Sequence, residues 1–336
     1  MPQKVRVAML SFAHVHAEGY ARQVKENPEA EIVAIWDEEE YGGRQAAERH
    51  KVPFYENLDE VLARDDVDGV VVNAPTSMHK DIMIAAAQAG KHIFTEKALA
   101  LTVEECDRII EAVENAGIKF MISLPSRCSP DILLAKKVVE EGIIGEITMG
   151  RGRIAHSAAL DGWFPPGNWF GDPKRAGGGA LFDLGCHRVD VIRWLMGRPK
   201  SVLAKINNFT HRYDIDDNSV TLVEFENNAI GIIDVTWIHR SGPNMLELYG
   251  TEGSLIIGHP KGIVLTSTRF SSEEEAQRYI RENRPQPLPS PMQQWISAIL
   301  HGTPMTITIQ DGRNLTELLQ AAYISAAEGR EVRLPL

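Results

Sequence analysis

The chain has 336 residues, 43% hydrophobic and 24% charged, with a net charge of −11. These are ordinary globular proportions, the length exceeds one core and points to two domains, and the acidic surplus argues against a nucleic-acid partner, which wants clustered Lys and Arg. Cys106, Cys128 and Cys186 lie too far apart for a disulfide framework, and no stretch has the length of a signal peptide or a membrane span. The expectation is therefore a cytoplasmic protein with reduced thiols and no membrane partner.

Residues 5–10 read as a buried strand and 17–27 as a helix. A strand at 31–36 follows, then helices at 43–50 and 58–63. The nearly all-apolar 67–73 reads as a strand buried on both faces. Helix 78–89 stops at Gly90, strand 92–95 follows, helix 103–116 stops at Gly117, and 119–123 is a strand. Strands separated by helices imply right-handed crossovers and a parallel sheet, so 1–122 is expected to be a doubly wound domain. The character then changes. After a helix at 130–141 come apolar stretches at 146–156, 201–209, 219–225, 230–237, 244–249 and 254–257, several without a helix between them. They predict an open, largely antiparallel sheet in an α+β second domain, 123–336. The stretch "PQPLPSP" at 285–291 cannot be helical, and helices follow at 292–301 and 312–328.

The turn after the first strand is where a doubly wound fold cradles a dinucleotide, and G-x-G-x-x-G normally builds it. Ser11, Ala13 and His16 occupy the three glycine places here. Ser and Ala are small enough for close approach of a phosphate, and the helix N-terminus attracts an anion without any glycine. Asp37 ends the second strand, where a carboxylate bonds ribose hydroxyls, and Glu38, Glu39 and Glu40 would repel a 2′-phosphate. NAD is expected rather than NADP.

Residues 70–102, "VVVNAPTSMHKDIMIAAAQAGKHIFTEKALALT", resemble the Gfo/Idh/MocA oxidoreductases. The Glu-Lys-Pro signature of that family appears as Glu96-Lys97-Ala98, and its usual glycine turn is replaced. The resemblance continues in "AGGGALFDLGCHRVDVIRWLMG" (176–197), "GTEGSL" (250–255) and 299–336. It implies a Rossmann first domain with the cofactor along Ser11, Phe12, Ala13, His14, Val15, Asp37, Asn73, Ala74, Pro75, Thr76, His79, Glu96 and Lys97.

Three residues are candidates for catalysis. Asp183 and His187 are four apart, hence on one helical face, and Gly177–Gly179 before them let the backbone bend close to a ligand. Removing hydride from an alcohol carbon requires a base for the hydroxyl proton. Histidine titrates near neutrality, and a lysine stabilises developing negative charge. His187 is assigned as acid/base, Lys97 as electrostatic partner and proton relay, and Asp183 as orienter and substrate ligand, which match what the resemblance implies. His16, Arg127, His156, Trp163, Asn168, Trp169 and Arg175 are candidate substrate contacts. His14 and His16 form H-x-H, but a metal needs a third ligand and none lies near in sequence, so no metal is expected. The function expected is NAD-dependent hydride transfer on a sugar, polyol or cyclitol. The alternatives are a redox-neutral NAD-dependent glycosidase and a non-catalytic nucleotide sensor. A homodimer or homotetramer built on the second domain's sheet is expected by resemblance.

Overall fold

The computed structural model describes residues 4–242 and 244–336. The chain divides into two compact units. One runs up to Leu124 and includes Pro289–Thr316; the other comprises Pro125–Leu288 and Glu317–Leu336. The first cut falls two residues beyond the expected boundary. The return of 289–316 to the first unit departs from the expectation of a contiguous second domain.

In the first unit the elements are β1 (Val5–Leu10), α1 (Ala17–Glu26), β2 (Ala30–Trp36), α2 (Glu40–His50), β3 (Phe54–Tyr55), α3 (Leu58–Leu62), β4 (Gly69–Val72), α4 (His79–Gln88), β5 (His92–Thr95), α5 (Val103–Ala116) and β6 (Phe120–Ile122). Among the described residues the six strands form one parallel sheet in the order β3-β2-β1-β4-β5-β6. The order reverses between β1 and β4, so the crevice beyond their carboxyl ends is the ligand site of such a sheet. β1 and β4 are apolar and buried apart from half-buried Arg6, as strands covered on both faces must be. Helix α5 has the expected bounds because its punctuation is local. The Thr102 hydroxyl accepts the Glu105 N–H at its start, and Gly117 takes φ +63 at its end.

In the second unit come α6 (Pro130–Glu140), β7 (Ile147–Ala155), α7 (Ala158–Asp161), α8 (Pro173–Ala176), a π-helical turn (Leu181–Gly185) running into α9 (Cys186–Met196), β8 (Pro199–Asn207), β9 (Asn218–Phe225), β10 (Ile230–Thr236), β11 (Leu246–Gly250), β12 (Gly253–His259), β13 (Gly262–Ser267) and α10 (Glu273–Asn283). Helix α11 (Pro291–His301) belongs to the first unit, the cut between units falls inside α12 (Ile309–Glu328), and β14 (Val332–Arg333) closes the chain. The eight described strands follow the order β13-β12-β11-β7-β10-β9-β8-β14. All neighbours are antiparallel except β7 and β10, which run parallel. Helix α9 covers β7: a Cβ on Gly150 would meet Met196 Sδ at 2.3 Å, and one on Gly152 would meet Ile192 at 3.1 Å. Helix α11 joins the first unit because its apolar side fits there. Trp295 is fully buried, its ring lies 6.0 Å from that of Phe94, and a Cβ on Gly69 would meet it at 2.8 Å.

Candidate active site

In the first unit, the turn after β1 is built by hydrogen bonds in place of glycines. Ser11 is fully buried and takes φ +73, the left-handed backbone that glycine ordinarily supplies. Its hydroxyl accepts the Ala13 N–H (3.0 Å), and Asp37 at the end of β2 accepts the Phe12 N–H on one carboxylate oxygen (2.8 Å) and the Glu39 N–H on the other (2.9 Å). Burial pushes the Asp37 carboxyl up, against those two backbone bonds. The His14 N–H donates to the Asn73 carbonyl (3.1 Å), tying the turn to the end of β4.

Glu96 follows β5 and is 1% exposed. Its Oε1 meets His16 Nδ1 at 2.7 Å and accepts the Tyr20 hydroxyl, which also reaches Ser123 Oγ at 2.7 Å; its Oε2 accepts the Lys97 N–H at 3.0 Å. Burial opposes its ionisation, but the charge of His14, the hydrogen bond of His16 and the charge of Lys97 outweigh it and hold the carboxyl well below its ordinary value. Lys97 is itself buried, and the Lys97–Ala98 peptide is cis although alanine stands where the family has proline.

These residues fit a dinucleotide on three observations. Ser11 supplies the left-handed first position. Helix α1 begins without a side-chain cap, so none of its first N–H groups is taken by one. Asn73 is fully buried at the end of β4 and donates to the Ser11 and Val71 carbonyls, while its Oδ1 has no partner. A buried acceptor left unmet costs about 1–3 kcal/mol and is a place for a ligand donor. Val15 is exposed, and Ala74, Pro75 and Thr76 are buried in the turn leading to α4.

His79 is a correction. It was expected on the cofactor, but it is fully enclosed: Nδ1 faces the carbonyls of Ala98 and Leu99 (3.0 and 3.2 Å) and Nε2 that of Ala74 (3.0 Å). Burial lowers its pKa against the pull of those carbonyls. It staples the turn after β4 to the turn after β5.

In the second unit, Asp183 lies on the π-helical turn and His187 one residue into α9; both are half-buried. Such turns recur at functional sites. Their backbone is clamped by buried Asp216, whose carboxylate accepts the Gly179 N–H (2.6 Å), the Leu181 N–H (3.1 Å) and the Tyr323 hydroxyl (2.8 Å). A Cβ on Gly179 would stand 1.9 Å from the Asp216 carbonyl oxygen, and one on Gly178 2.2 Å from the Tyr323 hydroxyl. The close approach expected of Gly177–Gly179 is thus to Asp216 and Tyr323, which sequence reasoning missed. Tyr20 and Ser123 were missed too. Tyr20 sits four residues after His16 on one helical face, a spacing that could have found it.

Arg127 is a second correction. It was expected as a substrate contact, but it is 3% exposed, forms a two-pronged pair with Asp190 (2.9 and 2.5 Å) and lies over the Trp194 ring. It ties the start of the unit to α9. The remaining contact candidates cluster around the loop from 157 to 176. His156 stacks between exposed Trp163 (4.6 Å) and buried Trp237 (6.2 Å). Asn168 accepts the Phe170 N–H (3.0 Å), Trp169 is buried against Phe170, and Arg175 is half-buried. Asn168 also lines a cavity of about 630 Å³ with Phe164, Arg212, Tyr213 and Asp214.

A crevice at the sheet's switch point and a histidine–carboxylate pair on a separate sheet-backed helix define a two-unit dinucleotide-dependent oxidoreductase in outline. Residues 5–124 match the oxidoreductase family with an NAD-binding Rossmann fold, and residues 132–256 match the Gfo/Idh/MocA C-terminal domain. The chain is 30% identical over 268 residues to the scyllo-inositol 2-dehydrogenase (NAD(+)) of Bacillus subtilis, covering 77% of this chain and 75% of that protein. It is 32% identical over 246 residues to the levoglucosan dehydrogenase of Pseudarthrobacter phenanthrenivorans, covering 66% of this chain and 63% of that protein. The structure of GenD2 from gentamicin A biosynthesis, in complex with NAD, superposes with a TM-score of 0.83 at 26% identity over 100% of this chain and 98% of that one. The chain belongs to the Gfo/Idh/MocA family.

Proposed function

We propose that the protein is an NAD-dependent oxidoreductase acting at a hydroxyl or carbonyl carbon of a sugar, polyol or cyclitol. The observation that carries this reading is the Asp183–His187 pair, one turn apart and half-exposed on a backbone clamped by Asp216. The likeness to dehydrogenases named for levoglucosan and scyllo-inositol supports the substrate class.

Residues 11–15, Asp37, 73–76, Glu96 and Lys97 hold the cofactor in this proposal, and His79 supports them from behind. Bound NAD supplies the hydride acceptor or donor. Asp37 keeps lone pairs beyond its two backbone bonds, enough for ribose hydroxyls. His187 takes the hydroxyl proton during oxidation and returns it during reduction. Lys97 stabilises the charge that develops on the substrate oxygen, and Asp183 orients the imidazole and bonds a neighbouring hydroxyl. Trp163 offers an exposed ring face to a sugar, and Asn168, Trp169 and Arg175 shape the loop beside it.

The open face of the second unit's sheet suits a further copy of the chain. Leu203 pairs with Leu222 and Ile230 with Met149, Val220 lies on the same face, and each is 37–46% exposed. A homodimer or homotetramer would bury this patch. Leu222→Glu is expected to shift the sedimentation profile toward the monomer; an unchanged profile places the interface elsewhere.

The deciding experiment is a nicotinamide-fluorescence titration with NADH and NADPH, followed by a sugar and polyol panel read as NADH formation. Tight NADH binding with turnover is expected. Sugar release without net NADH would make the protein a glycosidase, NADH binding without any turnover would favour a nucleotide sensor, and binding of neither nucleotide would overturn the reading.

A further inference from the structure

H-x-H alone offers two donors, and the sequence expects no metal for want of a third. The fold brings one from 80 residues away. One ring nitrogen each of His14 and His16 and one carboxylate oxygen of Glu96 all lie within 4.8 Å of one another. The two histidines lie in the turn that leads into α1, and Glu96 follows β5, so all three stand on well-fixed backbone of one unit.

We propose that His14, His16 and Glu96 form a binding site for one divalent transition-metal ion of the zinc class, with a position open to an oxygen ligand. Two imidazoles and one carboxylate are the donor set of open catalytic zinc sites, and imidazole selects such ions over magnesium or calcium. The spacing suits them. Zinc bonds of about 2.0–2.1 Å in a tetrahedron put donors about 3.3 Å apart. His14 Nδ1 stands 3.6 Å from Glu96 Oε1, and His16 Nδ1 stands 2.7 Å from it, drawn in by its hydrogen bond. Opening that contact takes a shift of well under an ångström, and the His16 side chain, 49% exposed, has room to make it.

The surroundings are those of a ligand set with support. Tyr20 donates to Glu96 Oε1, the oxygen that faces both histidines, and the Lys97 N–H holds the other carboxylate oxygen, which fixes the carboxylate as outer partners do in metal sites. His14 and Glu96 are buried, which keeps competing water off two of the three donors, while His16 faces outward and leaves the entry path. Two local interactions oppose the ion. His14 Nδ1 accepts the His16 N–H at 3.2 Å, a long bond that the metal replaces, and the Lys97 ammonium adds like charge nearby. His14 and Glu96 also belong to the cofactor set of the proposed function and His16 to the candidate substrate contacts, so the site is tested with neither nucleotide nor substrate present.

The test uses the full chain, stripped with a chelator and titrated with Co²⁺, read by its visible absorption, and with Zn²⁺, read by calorimetry. One equivalent per chain is expected, with the absorption of a four- or five-coordinate nitrogen–oxygen site. His16→Gln is the decisive variant: its amide still donates to Glu96, it sits at an exposed position, and it removes one imidazole. Its Zn²⁺ affinity is expected to fall at least 100-fold, beyond the roughly 10–100-fold that loss of an outer partner costs. His14→Ala should do the same where its melting curve shows it folded. No tight equivalent in the wild type, or an affinity unchanged in His16→Gln, overturns the proposal, the latter assigning the ion to surface pairs such as His301 with Glu29.

Discussion

The turn after β1 and the lead-in to α9 solve one problem by opposite means. Both bring backbone close to something, and the familiar device for that is glycine. The first has no glycine between Ser11 and His16, and keeps its path with the Ser11 hydroxyl, the Asp37 carboxylate and the Asn73 carbonyl. The second has three in a row, and two of them are forced by Asp216 and Tyr323 of the same unit. Glycine therefore reports close approach, and what approaches can be protein as readily as a ligand. Its absence reports only that another scaffold holds the backbone.

The largest effects that sharpen this contrast come from chemistry. His187→Ala and Lys97→Met are each expected to cut turnover by about 10²–10⁴, the range for loss of a positioned proton-transfer group; His187→Ala should leave the NADH titration unchanged, while Lys97→Met, which also removes a cofactor contact, should weaken it. Lost NADH binding in a folded His187→Ala variant would break the division of labour between the units. Next is Gly179→Ala. A methyl 1.9 Å from the Asp216 carbonyl oxygen cannot be housed without moving backbone, so a cost of about 3 kcal/mol in stability is expected, with turnover falling as the Asp183–His187 segment shifts. A melting temperature close to wild type would show that the clamp is slack.

The pH response should separate the two regions. His79 is buried with a lowered pKa, so below the ordinary 6.5 the unfolded chain takes up a proton that the fold refuses, and stability drops as pH falls through the folded value. Glu96 acts in the same sense: its contribution is complete above 4.5 and is lost as pH falls through its depressed value. Asp216, raised by burial, runs the other way. Its unfolded form ionises from 3.8, so that part of the stability is lost as pH rises from there through the folded value; Asp37 does likewise on a smaller part of the first unit. Hydrogen exchange should therefore loosen the amides around His79 as pH falls below 6.5 and those around Glu96 only below 4.5, while those around Asp216 do not loosen on acidification. Equal loosening would mean that neither buried group governs its region.

What the sequence made legible follows the range of the forces involved. The parallel sheet, α5 and the end of β2 at Asp37 rest on local periodicity and caps, and were readable. The antiparallel character of the second sheet was readable from strands without intervening helices. The parallel pairing of β7 with β10 was not, because nothing in either strand names its neighbour. The same holds for Glu96 with His16, Asp216 with Gly179 and Arg127 with Asp190, each joined across 37 or more residues. Arg127 was read as a ligand group because a polar residue near a strand end reads so until its buried partners are seen, and His79 because the family resemblance implied it. The route of α11 back to the first unit turned on Gly69 leaving space for Trp295.

Asp37→Ala should have a moderate effect with two parts. Loss of ribose contacts is expected to weaken NADH about tenfold and NADPH less, while the freed Phe12 and Glu39 N–H groups lower stability by about 1–3 kcal/mol. Equal weakening of both nucleotides would reduce Asp37 to a brace for the turn.

The smallest effect bears most directly on the comparison. Ser11→Gly restores the residue that the turn lacks. Relief of the left-handed backbone is worth about 1–2 kcal/mol. Against it stand the lost hydroxyl bond to Ala13, about 0.5–1.5 kcal/mol, and the extra entropy of an unfolded glycine, about 0.5–1 kcal/mol. The sums nearly cancel, so the melting temperature should hardly move. NADH affinity is the informative quantity, because the change removes a hydroxyl from the turn that leads to the start of α1, where an anion would approach. Tighter NADH binding would mean that the serine scaffold keeps the turn's shape at the expense of phosphate approach. Weaker binding would mean that the hydroxyl itself reaches the cofactor, and the glycine-free turn would then be a different binding surface from the glycine one.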